Sequence, residues 1–460
     1  MRFLTNLKKP SLEFYEEIQY RPHSWLLSSH RATATNISRA HRVRRLGFDL
    51  MADNGTIAYI RDSEELFDDK ADLIQDRVRE FKRQLPNGRR VPYMTEVPAD
   101  IRESMHHLAE QINNHVDTIF KTITPESQIN IQLSMDPTQV IAKEDWSVST
   151  ALGLGLEREM LGWPVSRYLT RNRRSLEAWS EMMQRGETSG MDVYVTMAAT
   201  DYTTAKAVGR QAGDWGVENV ALGFAGLNKT PGYTDVTFYR HRHRLNQPGP
   251  RRYVRLAEIV TGFRDGYRDS KTTLQNFHAL GLGARAMWNI LAAGLDWWTD
   301  ISVDATSAIK DAEGRAPVVY HPDLPAIRVS VASLADIFVT TGELPFESPV
   351  LLMALEALPC DRKKALEMKI SLGLEKISHD DLRTGQSLAG FLPVFANGGG
   401  TSQAGNFLAH HNYWASDLYA SKVPTRGRKK WAIKQLEQIV ANRKASITVR
   451  NGCKAALEIL

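Results

Sequence analysis

Residues 277–312 read FHALGLGARAMWNILAAGLDWWTDISVDATSAIKDA, and this stretch decides the fold. A short apolar run at 276–283 ends in a Gly-Leu-Gly turn, and a helical stretch leads from there into a second apolar run at 298–306. Continuous apolar runs of this kind are typical of parallel strands buried on both faces, which are joined through helices. The stretch therefore predicts an α/β protein.

The same alternation of strand and helix extends over most of the chain before residue 330. Four further strand-like runs lie at 47–55, 129–137, 191–201 and 217–226. Beyond about residue 330 the pattern is mainly helical. We predict a (β/α)8 TIM-like barrel with a mainly helical C-terminal extension. The predicted parts are an N-terminal segment at 1–45, a barrel at 46–330 and a basic, helical region at 331–460.

Composition excludes several classes of protein. Of the 460 residues, 42% are hydrophobic and 24% are charged, which is compatible with a large core and excludes global disorder. No apolar run approaches the roughly 18 residues of a membrane-spanning helix, and no secretory signal is apparent. Cys360 and Cys453 are too few for a disulfide scaffold. We therefore expect a cytoplasmic protein with no membrane partner.

Basic residues are clustered along the chain, although the net charge is only +5. The segment 240–255 contains six arginines, two histidines and no acid, and further basic clusters lie at 77–93, 167–174 and 421–460. Solvated helix faces would explain any one cluster, whereas arginines interleaved with aromatic residues favour nucleic acid. The predicted nucleic-acid contacts are Arg240, Arg242, Arg244, Arg251 and Arg252.

Several predicted strands end in aspartate or in a glycine turn. The aspartates are Asp53, Asp136, Asp201 and Asp304. In a parallel barrel the carboxyl ends of the strands converge on the face that carries the active site. Several carboxylates on one face would form a catalytic cluster. The competing explanation for each single aspartate is that it caps the following helix or turn.

Four segments resemble, in the expected order, motifs of the guanine-transglycosylase superfamily. These are FDLMADNGTI, IQLSMDP, VALGFAGL and residues 277–312. The likeness is greatest to the branch that places 7-deazaguanine bases in DNA. It implies a pentosyltransferase that exchanges guanine by double displacement at C1′, through a covalent aspartyl intermediate.

The resemblance also implies roles for individual residues. Asp304 corresponds to the nucleophile, with Asp300 as its competitor because the segment between Gly294 and Asp304 is longer than the family pattern. Asp53 corresponds to the general acid and base, and two carboxylates of different roles are needed, as in retaining glycoside chemistry. The residues implied to bind the base are Asp136, Gly223, Gly226 and, in place of a family glutamine, Asp201.

The chain departs from the family at the position of its zinc site. The tRNA-acting relatives hold a structural zinc with three cysteines and a histidine, whereas LPCDRKKA keeps only Cys360, so we expect no metal and no cofactor.

The expected partners are DNA and a free 7-deazaguanine base, in its cyano or aminomethyl form, with a partner protein or a homodimer left open. The alternatives are a tRNA-acting transglycosylase, a catalytically inert nucleic-acid-binding barrel and an unrelated barrel hydrolase.

Overall fold

A computed structural model describes most of the chain. The described residues are 1–6, 24–84, 97–154, 165–186, 190–199, 201–224, 227, 233–234, 237–238, 243–244, 249–270, 272–296, 300–305, 307–396 and 403–460. Within this part, no helix combines the length and the hydrophobicity needed to cross a membrane.

Eight parallel strands form a closed barrel in which each strand neighbours those before and after it in the chain. The strands are β1 (Arg2–Asn6), β2 (Ser24–Ser28), β3 (Asp49–Asp53), β4 (Gln139–Ile141), β5 (Asp192–Met197), β6 (Asn219–Gly223), β7 (Asn276–Leu280) and β8 (Asp300–Asp304). Their central residues are almost fully buried, as in Leu50–Ala52 of β3 and Val220–Leu222 of β6. The predicted (β/α)8 barrel is therefore confirmed.

Helices connect the strands and make up most of the region after the barrel. Those up to β8 are α1 (Ala34–Arg45), α2 (Thr56–Gln84), α3 (Ala99–Thr122), α4 (Pro125–Leu133), α5 (Ser147–Gly153), α6 (Val165–Gln184), α7 (Tyr202–Asp214), α8 (Arg251–Tyr267) and α9 (Arg285–Gly294). Those after β8 are α10 (Ser307–Glu313), α11 (Val331–Thr341), α12 (Pro349–Ala357), α13 (Arg362–Ser371), α14 (Ser387–Phe391), α15 (Gln403–Ser421), α16 (Arg428–Ala441) and α17 (Ile447–Leu457). The mainly helical C-terminal region is confirmed.

One predicted strand is wrong. Residues 125–133 form α4, because the Thr124 side chain accepts a hydrogen bond from the backbone N–H of Ser127 and Pro125 occupies the first turn. The buried residues Gln128, Ile129 and Gln132 recur at helical spacing. The fourth strand is β4, which begins three residues after Asp136.

The N-terminal segment predicted at 1–45 contains two barrel strands, β1 and β2, which the apolar pattern did not reveal. The chain divides into two compact units. One consists of residues 24–282, 286–303 and 424–460, and the other of residues 1–23, 283–285 and 304–423.

In the first unit, α7 and α8 approach each other so closely that glycine is needed on both. A Cβ on Gly209 would lie 2.2 Å from the carbonyl oxygen of Phe263, and one on Gly262 would lie 2.3 Å from that of Tyr202. In the second unit, α15 is buried along most of its length. Its Asn412 side chain hydrogen-bonds the backbone of Tyr320, Ala308 and Val318, which ties α15 to its neighbours.

The contact between α7 and α8 predicts a stability defect. We expect Gly209→Ala to destabilise the protein by about 1–3 kcal/mol, because the helices must separate to admit the methyl group. Gly390→Ala is the matched control, since its Cβ would meet no atom of the described residues within 4 Å. Urea unfolding followed by circular dichroism measures both variants, and equal midpoints would contradict the prediction.

Candidate active site

Two of the predicted catalytic aspartates end barrel strands. Asp53 is the last residue of β3 and is half-buried, and Asp304 is the last residue of β8 and only 8% exposed. Asp300 is the first residue of β8 and pairs with Asn276, the first residue of β7. Five residues of extended strand therefore put Asp300 about 13 Å from Asp304, at the amino end, away from the rim where barrel enzymes place their chemistry.

Asp53 is held by a short chain of hydrogen bonds. The Ser28 hydroxyl donates to Asp53 Oδ2 at 2.7 Å, and Ser28 Oγ also lies 2.8 Å from Nδ1 of His30. Because β2 and β3 pair in parallel register, with Ser28 opposite Asp53, the two side chains leave the sheet side by side. Neither contact was evident from the sequence, since β2 itself was missed.

Asn54 and Gly55 shape the turn that follows Asp53. The Asn54 amide donates to the carbonyl of Ala142 at 2.9 Å, and its oxygen accepts from the backbone N–H of Thr56 at 3.0 Å. Gly55 has a φ of +77°, and a Cβ there would lie 2.7 Å from Ser29 Oγ. The turn therefore requires glycine both for its backbone conformation and for its packing against the end of β2.

Glu144 is the residue that the sequence analysis missed. It follows β4 closely, is 5% exposed and lies near enough to Asp53 for the two charges to interact. Burial raises the pKa of Glu144 to about 8; the charges of Asp53 and Asp145 add to the shift and a hydrogen bond with Thr56 opposes it. Glu144 therefore carries a proton at neutral pH beside Asp53. The signal in the sequence is the acidic pair Glu144-Asp145, which lies one residue after the apolar run at 140–142.

Asp145, although adjacent, is committed to the fold. Its side chain is fully buried and forms an ion pair with Arg171. Its Oδ1 accepts from the backbone N–H of Ser147 at 2.8 Å, and its own N–H donates to Asn172 Oδ1 at 2.7 Å. Arg171 comes from the cluster 167–174, so this arginine is a structural partner of Asp145 rather than part of a solvated basic face.

The structure does not bring Asp136 and Asp201 to the positions that the sequence predicted. Asp136 follows α4 rather than a strand, precedes β4 and so lies at the amino end of the barrel; its side chain is 68% exposed and faces Arg44. Asp201 caps α7, where its Oδ1 accepts from the backbone N–H of Thr204 at 2.8 Å. Its carboxylate thus has the capping function that was the competing explanation.

Gly223 ends β6. Among the described residues, the nearest atom to an added Cβ would be Ser149 Oγ, at 3.9 Å, so packing against these residues does not require glycine here. Gly226, its predicted companion, lies outside the described residues.

The predicted nucleic-acid contacts lie largely outside the described residues. Arg240 and Arg242 are not among them, and Arg244 is described only in its backbone. Arg251 and Arg252 are half-buried in the first turn of α8. Arg255, from the same cluster, is buried and pairs with Glu258 at 2.7 Å.

The C-terminal segment presents a clearer basic surface. We define the C-terminal basic surface by six exposed residues, Arg426, Lys430, Lys434, Arg443, Lys444 and Lys454. Lys430 and Lys434 lie one turn apart on α16. Arg428 of the same segment is buried and donates to the carbonyl of Leu295 at 3.1 Å, so only part of the basic cluster is available to a polyanion.

The histidine pair His410-His411 is part of the buried face of α15. Nδ1 of His411 lies 2.8 Å from Ser348 Oγ, and its Nε2 lies 2.8 Å from the carbonyl of Tyr320. Burial lowers the pKa of His411 to about 4 and that of His410 to about 3. Both rings are therefore neutral at physiological pH. The expectation of a protein without zinc stays a prediction.

Comparison with known proteins finds no family model that matches the chain and no curated protein that matches it significantly.

The buried carboxyl of Glu144 predicts a pH-dependent stability. Between the ordinary pKa of 4.5 and about 8, the folded chain keeps a proton that the unfolded chain releases, so folded-state stability falls as pH rises through this window. Glu144→Gln mimics the protonated form and should gain stability relative to wild type as pH increases, with a slope approaching about 1 kcal/mol per pH unit.

Urea unfolding at pH 5, 6.5 and 8 tests this. Glu437→Gln is the control, since that side chain is exposed on α16 and its replacement should give no such trend. A difference between Glu144→Gln and wild type that is constant over this pH range would refute the protonated state of Glu144.

Proposed function

We propose that this chain is a pentosyltransferase that exchanges guanine in DNA for a 7-deazaguanine derivative, by double displacement at C1′. The observation that carries the proposal is the pair formed by Asp53 and Glu144, in which one buried carboxyl retains its proton beside a second that ends a barrel strand. This chemistry requires one carboxylate that stays ionised and attacks C1′ and a second carboxyl that gains and loses a proton. We assign the first role to Asp304, at the carboxyl end of β8, and the second to Asp53; a neighbouring carboxyl that keeps its proton supports the second assignment.

In the first half-reaction, an Asp304 carboxylate oxygen bonds to C1′ as the bond from C1′ to N9 of guanine breaks. Asp53, ionised at the start, first takes up a proton from solvent and then gives it to the departing guanine, and a glycosyl ester on Asp304 remains. In the second half-reaction, N9 of the incoming base attacks C1′, its N9 proton passes to Asp53, and the ester bond breaks. The proton on Asp53 and the carboxylate of Asp304 are both restored.

We assign recognition of the base to Glu144 in place of Asp136. A protonated carboxyl offers one O–H donor and one carbonyl acceptor on the same group. The edge of guanine and of its 7-deaza analogues presents O6 as an acceptor beside the N1–H donor, so the two patterns are complementary. Within the described part of the chain, the nearest contact of a Cβ added at Gly223 is 3.9 Å away, which supports close approach of a flat base to this backbone.

DNA is the proposed polymer, and the C-terminal basic surface is its proposed contact. A nucleotide cannot react at C1′ while stacked in a duplex, so guanine must be flipped out or presented in a single strand, at a cost of a few kcal/mol. Phosphate contacts along the strand offset this cost. In the segment 424–460 only Glu437 and Glu458 are acidic, which leaves the surface strongly positive.

The first prediction from this mechanism concerns the nucleophile. Asp304→Asn should abolish exchange and the covalent intermediate while preserving the fold, because asparagine is nearly isosteric with aspartate but is not an effective nucleophile. Asp300→Asn is the matched control, since Asp300 lies at the other end of the same strand. Release of labelled guanine from DNA and from tRNA, with denaturing electrophoresis of the trapped adduct, measures both variants.

Each outcome of that assay has a clear meaning. Loss of exchange in the Asp300 variant alone would identify Asp300, rather than Asp304, as the nucleophile. Exchange on tRNA but not on DNA would favour the tRNA-acting alternative. Wild-type protein that binds DNA but releases no guanine would favour an inert binding barrel.

The second prediction concerns the C-terminal basic surface. Replacing Lys430 and Lys434 together with glutamine should weaken DNA binding. The slope of log affinity against log salt should decrease by about 1 for each phosphate that the variant no longer neutralises. Lys363→Gln with Lys376→Gln is a control of equal charge on exposed residues elsewhere. Fluorescence anisotropy at several salt concentrations measures both pairs, and identical slopes would exclude this surface from the DNA path.

A further inference from the structure

A chain of hydrogen bonds connects Asp53 with the exposed side chain of His30. The Ser28 hydroxyl donates to Asp53 Oδ2 at 2.7 Å, Ser28 Oγ lies 2.8 Å from His30 Nδ1, and Arg31 Nε donates to His30 Nε2 at 3.2 Å. Ser28 and Asp53 are half-buried, whereas His30 is exposed. The chain therefore runs from solvent to the proposed acid and base.

The contacts determine which ring nitrogen of His30 carries the proton. Ser28 has a single hydroxyl hydrogen, and it is donated to Asp53. Nδ1 of His30 must then be the donor to Ser28 Oγ. Nε2 accepts from Arg31, which is consistent with the same neutral tautomer. Every hydrogen in the chain is thus aligned in one direction, toward Asp53.

We propose that Ser28 and His30 form a proton relay that sets the protonation state of Asp53. The proposal rests on the proposed function, in which Asp53 must be an acid in one half-reaction and a base in the other. His30 and Ser28 act through Asp53 and are positioning residues, since neither is required to touch the substrate.

The relay is balanced in protons. Solvent protonates Nε2 of His30 and displaces the Arg31 N–H, which gives an imidazolium. The Nδ1 proton then passes to Ser28 Oγ while the Ser28 hydroxyl proton passes to Asp53 Oδ2. His30 is left neutral with its proton on Nε2, Ser28 is again a hydroxyl, and Asp53 has gained one proton. The reverse sequence removes it.

The charges around the relay favour transfer toward Asp53. Partial desolvation lowers the pKa of the His30 ring although its side chain is largely exposed, and the charges of Arg31 and of Arg61 on α2 lower it further, so the imidazolium is a stronger acid than a free histidine. At the other end, Asp53 faces Glu144, whose proton is retained at neutral pH. Asp53 Oδ2, which accepts the hydrogen of the Ser28 hydroxyl at 2.7 Å, is the next proton acceptor along the chain.

The rigid turn after β3 keeps the relay aligned. A Cβ at Gly55 would lie 2.9 Å from the backbone nitrogen of His30, so this turn is in direct contact with the backbone that carries the imidazole. Ser29 Oγ, between the two relay residues, accepts a hydrogen bond from Gln128 at 2.5 Å. Both ends of the relay are thus attached to buried structure.

The first experiment does not depend on activity. Nitrogen-15 NMR of the histidine rings in the full-length protein, with His30 identified by the signal that disappears in His30→Asn, should show Nδ1 protonated in the neutral ring. In Ser28→Ala the neutral ring should shift toward protonation at Nε2. In Asp53→Asn the pKa of His30 should decrease, because a nearby negative charge is removed. A His30 signal that is unchanged in both variants would overturn the relay.

The second experiment measures guanine exchange against pH. His30→Asn keeps an N–H donor near the position of Nδ1 but cannot titrate. Exchange by this variant should fall about tenfold or more on the acidic side of the pH profile, and the decrease in rate that accompanies deprotonation of His30 should be lost. Ser28→Thr keeps the hydroxyl and should retain the wild-type profile, whereas Ser28→Ala should resemble His30→Asn.

The two proposals fail in distinguishable ways. If the NMR result is as expected but wild-type protein exchanges no guanine on DNA or tRNA, the proposed function is wrong and the hydrogen-bonded chain remains. If wild-type protein exchanges guanine while His30→Asn and Ser28→Ala keep its pH profile, the relay is wrong and the proposed function stands.

Discussion

The buried side chain of Asn54 is the contact on which the candidate site depends. It lies directly after Asp53, donates to the carbonyl of Ala142 at the end of β4 and lies 3.4 Å from the Thr196 hydroxyl of β5. Its oxygen also accepts from Thr56, so nearly all of its hydrogen-bonding capacity is used. An apolar residue there would leave buried polar groups without partners, which costs about 1–3 kcal/mol each. One amide therefore aligns three strand ends, and with them the positions of the acidic side chains.

The binding partners of each buried carboxyl group determine whether it supports the fold or is available for chemistry. The carboxylate of Asp145 is bound by Arg171 of α6 and by Ser147, and the carboxylate of Asp201 is occupied by the first turn of α7. Glu144 is equally buried but forms no ion pair within the described part of the chain, so burial raises its pKa instead. The two aspartates that are bound by protein groups support the fold, whereas Glu144, buried beside another carboxylate, holds a proton and becomes useful for chemistry.

The basic residues also fall into two groups, those bound within the protein and those exposed at its surface. Arg171, Arg255 and Arg428 come from three of the clusters that suggested nucleic acid. Arg255 and Arg428 are buried, Arg171 is largely buried, and all three are bound to protein carboxylates or carbonyls. Long cationic side chains are often used inside a protein for such contacts, so a count of arginines overstates the charge available to a polyanion. The exposed C-terminal basic surface is what remains on α16, on α17 and in the segments that flank α16.

The sequence by itself determined the barrel, the mainly helical C-terminal region and two aspartates at strand ends, Asp53 and Asp304. Continuous apolar runs separated by helical patterns are local signals, and a residue at the end of such a run is at the end of a strand wherever the strand goes. The sequence also suggested Asp136, but the run before it is a helix, because a threonine cap and a proline in the first turn outweigh apolar character over so short a segment.

Only the tertiary structure decided which polar groups meet. Ser28, Asp53 and Glu144 are separated by 25 residues or more along the chain, and no local pattern relates them. Their association depends on the register of β2 against β3 and of β3 against β4, and the protonation of Glu144 depends on how completely that association excludes water. Strand register and burial are properties of the closed barrel. The sequence alone therefore did not identify Glu144 as part of the candidate site, and the tertiary structure did.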